Sequence, residues 1–189
     1  MGNGINNVMD SAVKFGAGRY RQGRGVLEHC GQEIRRFGKK AYIVSGPRAF
    51  DAVKDRLLPG LTEAGVEFVA EIYDGVCSYE AAEALGKKCL DAGCDEVVGI
   101  GGGVIMDLSK AVAGKAGVGV INIPTSIATC AAFTAMSVMY TPQGAMKDNW
   151  RYEYETDGVY VDLDVISGCP LPLRGGRNTG RHGKEDRDA

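Results

Sequence analysis

The sequence predicts an α/β fold built on a parallel sheet. Three observations carry that expectation. Short apolar runs of strand length alternate with longer segments of helical spacing. The runs end at glycine or proline, the residues that stop strands and open turns. Glycine is also over-represented at 28 of 189 residues, roughly twice the usual ~7%, and three glycines stand together directly after one of the apolar runs.

Taken in order, Arg19–Gln22 reads as an edge strand. Residues 41–45 form a short apolar run after Lys39 and Lys40 and stop at Gly46-Pro47, as a buried strand does. Residues 48–64 carry helical spacing through Phe50, Val53, Leu57, Leu58 and Leu61, with Gly65 in the C′ place. Pro59 has no N–H and is expected to kink or end that helix near Leu58. Residues 66–72 alternate as a second strand. Ser78 is placed to cap a helix over 79–91, closed by Gly93. Residues 96–100 form a third strand that runs through Gly101-Gly102-Gly103 into a helix over 104–115. Residues 118–123 form a fourth, stopped by Pro124. Elements of these lengths imply crossover connections and a parallel sheet. Antiparallel additions are expected at 136–141 and 158–163.

Composition narrows the function. There are 22 Lys and Arg against 24 Asp and Glu, a formal charge of −2, so no general field draws nucleic acid or an anionic membrane. Residues 116–146 carry no charge, but Pro124 interrupts them, and Asn122 with several hydroxyls would go unsatisfied in lipid. No membrane span is expected. Six cysteines include no Cys-x-x-Cys pair, and His29 and His182 are the only histidines, so zinc-site spacing is lacking. The N-terminus has no signal-peptide pattern. The expected setting is cytoplasmic, with reduced and mostly buried thiols. Residues 170–189 are rich in Arg and Gly, carry a net charge of +2 and offer few apolar groups. They read as a disordered tail following a domain over 1–169, rather than as a nucleic-acid arm.

The chemistry concentrates between residues 97 and 140. A buried strand delivers Gly101-Gly102-Gly103 to a helix start, where free N–H groups and the helix dipole favour a phosphate. In a parallel sheet this point is at the carboxyl edge, where ligands bind. The spacing departs from G-x-G-x-x-G, because residue 104 is Val, and no G-K-[ST] follows. A tight turn chosen for helix–sheet packing is the competing explanation. After the fourth strand come Thr125, Ser126 and Thr129, hydroxyls suited either to a ribose or nicotinamide amide or to helix capping.

Gly-Ile-Gly-Gly-Gly-x-x-x-Asp-x-x-Lys-Ala-Val-Ala at 99–113, Ile123-Pro124-Thr125, and Ala135-Met136-Ser137-Val138-Met139-Tyr140-Thr141 together resemble the iron-containing alcohol dehydrogenase superfamily, in its glycerol-dehydrogenase-like branch. Arg19-Tyr20-x-Gln22-Gly23-x-Gly25-Val26-Leu27 resembles that branch's N-terminal strand and turn. Residues 129–134 are most similar to its hydroxycarboxylate dehydrogenase subgroup. The resemblance covers about residues 18–169. It implies a Rossmann-like α/β domain, the N-terminal domain of the dehydroquinate synthase-like fold. It also implies an NAD(P)-dependent oxidoreductase acting on the CH–OH group of a small alcohol, polyol or 2-hydroxy acid.

By the same resemblance, Gly102 and Gly103 would hold the cofactor pyrophosphate, with Asp107 on the same turn. Thr125 would contact the cofactor, and Thr134, Met136 and Tyr140 would line its nicotinamide end. Cys130 stands where glycerol dehydrogenases have a substrate-binding Asp, which argues against glycerol itself; its thiol is expected to be a buried packing group. Val104 replaces a Lys. Ser45-Gly46 replaces the Asp that meets the adenosine ribose in many relatives, and with Arg48 nearby this implies that NADP is accepted.

Family members are about twice this length and carry an Asp and two His as metal ligands in a C-terminal helical domain. Asp162 and Asp164 look like a strand end, and after Cys169-Pro170 the family pattern stops. The expectation is therefore a truncated or frameshifted chain without the helical domain or its divalent metal, weakly active at most, with an exposed domain face prone to self-association. Its partners would be a dinucleotide and a small-molecule substrate. A dinucleotide-binding domain without catalysis is the alternative. The motif at 135–141 disfavours a lyase of the dehydroquinate synthase type.

Overall fold

The computed structural model describes residues 16–168. In chain order these are β1 (Ala17–Gly23), α1 (Val26–His29), α2 (Gly31–Ile34), β2 (Lys40–Ser45), α3 (Pro47–Glu63), β3 (Glu67–Ile72), α4 (Tyr79–Asp91), β4 (Glu96–Gly101), α5 (Gly103–Ala116), β5 (Gly119–Pro124), β6 (Met136–Tyr140), β7 (Met146–Arg151), β8 (Thr156–Asp162) and α6 (Leu163–Gly168). Six strands form one sheet in the order β1-β8-β5-β4-β2-β3, and every pairing is parallel. The tail expected over 170–189 lies outside the described residues.

Sequence alternation decides which face each strand buries. Ile43, Val98, Ile100 and Ile121 meet Val53, Leu57 and Leu61 of α3 and Leu27 and Ile34 of α1 and α2. Tyr42, Val44, Val97 and Val120 meet Leu85 of α4 and Leu108 and Val112 of α5. All six residues of β4 are buried, as expected for a central strand covered on both sides. The cap at Ser78 is as predicted: its side chain accepts from the Ala81 N–H at 3.1 Å.

Three expectations need correction. Helix α3 runs through Pro59 to Glu63. Pro59 sits on the exposed face, so the carbonyl it leaves unpaired can turn to water, and the buried stripe Val53, Leu57 and Leu61 carries the helix past it. The strand expected at 158–163 is β8. It is parallel and lies between β5 and β1, because the long excursion over residues 125–155 returns the chain to the sheet's amino edge. Its near-continuous burial is that of an interior parallel strand. Residues 136–140 do pair antiparallel, but with β7 in a separate two-stranded sheet.

The packing of α2 on α3 is set by glycine. A Cβ on Gly31 would lie 2.1 Å from the Gly60 carbonyl oxygen, a clash with backbone that no rotamer relieves. Gly31→Ala is expected to destabilise the protein by about 3 kcal/mol, read as a lowered urea midpoint. A change below about 1 kcal/mol would show that the two helices separate freely.

Candidate functional site: a cleft at the carboxyl edge

The connection through α3, which leaves β2, lies on one face of the sheet, and that through α5, which leaves β4, lies on the other. The chain segments leaving β2 and β4 therefore diverge, which opens a crevice at the carboxyl edge. An open cleft of about 770 Å³ occupies this place. Its floor is Gly101–Gly103, and its walls include Gly46–Arg48, Tyr73–Gly75, Thr125 and Thr129.

The glycines divide the two explanations of the triplet between them. A Cβ on Gly101 would lie 2.9 Å from the Ile105 Cβ, whereas one on Gly102 would meet nothing within 4 Å. Gly101 serves helix–strand packing; Gly102 keeps open the space above the helix start. Gly102 is the N-cap of α5 and has extended backbone, and no side chain caps this helix. The α5 amides thus face the cleft without a side-chain acceptor, a cradle suited to phosphate oxygens. Thr129 stands over Gly103, its Oγ1 3.2 Å from where a Cβ would be.

Of the residues expected at a cofactor site, Gly102, Gly103, Asp107, Thr125 and Tyr140 line the cleft. The structure does not bring Thr134, Met136 or Cys130 into that lining. Cys130 is exposed, against the expectation of a buried packing thiol. Ala131 and Ala132 occupy the buried places of that turn, 7% and 0% exposed. The other described cysteines, Cys30, Cys77, Cys89 and Cys94, are buried as expected. Burial pushes the Cys30, Cys77 and Cys89 thiols up to about 12, so they are unreactive near neutral pH.

Asp107 lies in the cleft wall with its carboxylate engaged. Oδ1 is 3.0 Å from Lys110 Nζ, Oδ2 accepts the Val138 N–H at 3.2 Å, and its carbonyl accepts the Ser137 hydroxyl at 2.7 Å. Lys110 is 1% exposed. Its ammonium also donates to the carbonyls of Thr134 (3.0 Å) and Met136. Three acceptors match its three protons. Burial raises the Asp107 pKa and lowers that of Lys110, and each partner offsets part of the other's shift. Thr134 and Met136 therefore matter first through their carbonyls, which tie the segment after β5 to α5. Lys110 was visible in the motif only as a spacing three residues beyond Asp107. Asp74 escaped sequence reasoning as well; its signal is a Tyr-Asp-Gly turn at the carboxyl end of β3.

Among the described residues no group of three His, Cys, Asp or Glu side chains could hold a metal ion. Asp162 accepts the N–H groups of Leu27 (3.2 Å) and Asp164 (2.9 Å), and Asp164 pairs with Arg24 at 2.6 Å. These carboxylates hold α1 and α6 against β8 and do not fit a metal centre. His182 and Cys169 lie outside the described residues. No described helix is long and apolar enough to cross a membrane.

A parallel sheet with a glycine-floored cleft at its switch point defines a Rossmann-like α/β domain. The chain belongs to the iron-containing alcohol dehydrogenase family, whose model matches residues 17–156. Glycolaldehyde reductase of Halobacterium salinarum is 31% identical over 151 residues, 80% of this chain and 41% of the relative. Hydroxycarboxylate dehydrogenase A of Escherichia coli is 30% identical over 133 residues, 69% of this chain and 35% of the relative. The crystal structure of a probable glycerol dehydrogenase from Sinorhizobium meliloti superposes with a TM-score of 0.76 at 28% identity, covering 86% of this chain and 44% of that one. The chain thus spans about two fifths of the length of the curated relatives it matches.

Proposed function

We propose that the cleft binds NAD or NADP with its pyrophosphate on Gly102 and Gly103, as the cofactor-binding part of an oxidoreductase acting on the CH–OH group of a small alcohol, polyol or 2-hydroxy acid. The observation that carries the reading is the open side of Gly102 above the uncapped start of α5. The bound cofactor would supply the hydride. The chain's own work is to hold and orient it: α5 amides on the pyrophosphate, and Thr125 and Tyr140 towards the nicotinamide. Lys110 fixes the backbone of Thr134 and Met136 behind them. By sequence Cys130 aligns with the Asp that binds substrate in glycerol dehydrogenases, and the lack of a carboxylate there supports a 2-hydroxy acid or aldehyde pair over glycerol, although Cys130 does not line the cleft itself. The alternative reading is dinucleotide binding without turnover.

The test uses Trp150, the chain's single tryptophan, as an energy-transfer donor to bound NADH or NADPH. Gly102→Val suits the extended backbone and has room in the free protein, but its branched side chain would fill the phosphate space. It is expected to weaken cofactor binding more than about tenfold, as loss of several charge-assisted amide bonds does, while unfolding stays cooperative with a slightly lowered melting temperature, because Val is a poorer N-cap than Gly. No binding by the unaltered protein, or unaltered binding by Gly102→Val, overturns the reading. Turnover of glycolaldehyde or a 2-oxo acid with bound cofactor then separates the oxidoreductase from the binding module.

A further inference from the structure

The strand order fixes a sequence of groups along the cleft. Ser45 of β2 is level with Ile72 of β3 on one side and Ile100 of β4 on the other, and Gly101 of β4 is level with Pro124 of β5. Past those strand ends the carboxyl edge therefore presents Asp74, then Arg48, then Gly102, then Thr125. All four line the same cleft. A dinucleotide with its pyrophosphate at Gly102 and its nicotinamide towards Thr125 must lay its adenosine over Arg48 and Asp74.

Both side chains are exposed, and neither is engaged in a hydrogen bond or ion pair among the described residues. They carry opposite charges. The hydroxyl of Ser45, by contrast, is buried and turned inward, 2.9 Å from the Ile100 carbonyl, so it is not offered to a ligand. At this edge the carboxylate comes from the neighbouring strand: Asp74 lies two residues past the end of β3.

We propose that Arg48 and Asp74 together read the 2′ position of the adenosine ribose, in opposite senses, and so make the cleft accept both NAD and NADP. This rests on the dinucleotide reading given above. A 2′-phosphate carries nearly two negative charges at neutral pH; Arg48 attracts it and Asp74 repels it. A free 2′-hydroxyl donates to Asp74 and gains little from Arg48. Because both groups face water, each effect is modest, about fivefold in affinity, and shrinks as salt screens it.

The experiment measures, by calorimetry on the full chain, the affinities for AMP and for AMP bearing a 2′-phosphate, probes that leave out the nicotinamide end. The two are expected to bind within about fivefold of each other. Arg48→Ala should weaken the 2′-phosphorylated nucleotide about fivefold and leave AMP unchanged. Asp74→Asn should tighten it by a similar factor, and the double variant should return to the original ratio. Raising salt to about 1 M should erase the shifts. If both nucleotides bind and the ratio moves less than twofold in either variant, or moves the same way in both, the inference is overturned. If NADH, NADPH and both mononucleotides all fail to bind, the dinucleotide reading falls and this inference with it. Both substitutions are at exposed positions, so unchanged thermal unfolding is the control for fold.

Discussion

Lys110→Met is expected to cost about 3–5 kcal/mol of stability, the range for breaking a buried ion pair by removing one partner. The cause is the charge left behind. Asp107 is 8% exposed, and without the ammonium its carboxylate keeps only the Val138 N–H, at 3.2 Å. The carbonyls of Thr134 and Met136 lose their shared donor at the same time, so the segment entering β6 keeps only the Ser137 and Val138 bonds to Asp107 of α5. Asp107→Asn is expected to be costly for the mirror reason, a buried ammonium without its counter-ion. Removing both charges leaves neither stranded, so the double variant should be less destabilised than the sum of the singles by about 2–3 kcal/mol. Lys110→Arg should not rescue, because the planar guanidinium does not present three donors to three divergent acceptors. Urea unfolding gives the energies. Trp150 lies on β7, 5.0 Å from Tyr152 and 5.6 Å from Tyr79 by ring centroid, so its emission reports the hairpin in the folded state. Additive energies, or a Lys110→Met cost below about 1 kcal/mol, would reject the clamp.

The same residues explain which parts of the fold were legible in advance. Strands β2, β4 and β5 are buried on both faces, so their runs are almost wholly apolar, interrupted in β5 by Asn122, and are bounded by Gly46-Pro47, by the glycine triplet and by Pro124. Helix α4 announced itself through Ser78. Strand β7 did not, because Met146–Arg151 is mostly exposed, and its pairing with β6 rests on backbone bonds and on Trp150 stacking rather than on an apolar pattern. The direction of β8 depends on which way the chain returns after residues 125–155, a long-range matter that local periodicity does not encode. At the cleft, Gly102 and Gly103 were legible as lining residues because a glycine triplet directly follows the central strand β4. Asp74 was not, because its relevance comes from the neighbour relation of β3 and β2 across the sheet. The chemistry of Lys110 was hidden in plain sequence: a lysine on a helix is ordinarily solvated, and only the packing of β6 over α5 buries it.

Glu96 was hidden in the same way, and its expected effect is as large. At the first position of β4 it reads as a solvated strand end, yet it is 0% exposed, and neither carboxyl oxygen has a hydrogen-bond partner among the described residues. Desolvation first, then repulsion from Asp95 and Asp157, raises its pKa from 4.5 to about 8, with Arg35 offsetting part of the rise. The folded protein therefore holds Glu96 as the neutral acid at pH 7, while the unfolded chain would ionise it. Below pH 4.5 both forms are protonated, and the group contributes no difference. Between pH 4.5 and about 8 the unfolded chain releases a proton that the folded chain keeps, so stability falls as pH rises, by roughly 1.4 kcal/mol per unit. Above about 8 both forms are ionised, and the loss stays at its full value of several kcal/mol. Glu96→Gln mimics the neutral acid at every pH. Its stability should match that of the unaltered protein near pH 4.5 and exceed it progressively towards pH 8, with the difference between the two curves isolating this group from all other titrations. Urea midpoints at pH 5, 6, 7 and 8 give that difference directly. A constant difference across the series would mean that Glu96 ionises in the folded protein as it does in water, and that the amino end of β4 is wetter than its packing implies.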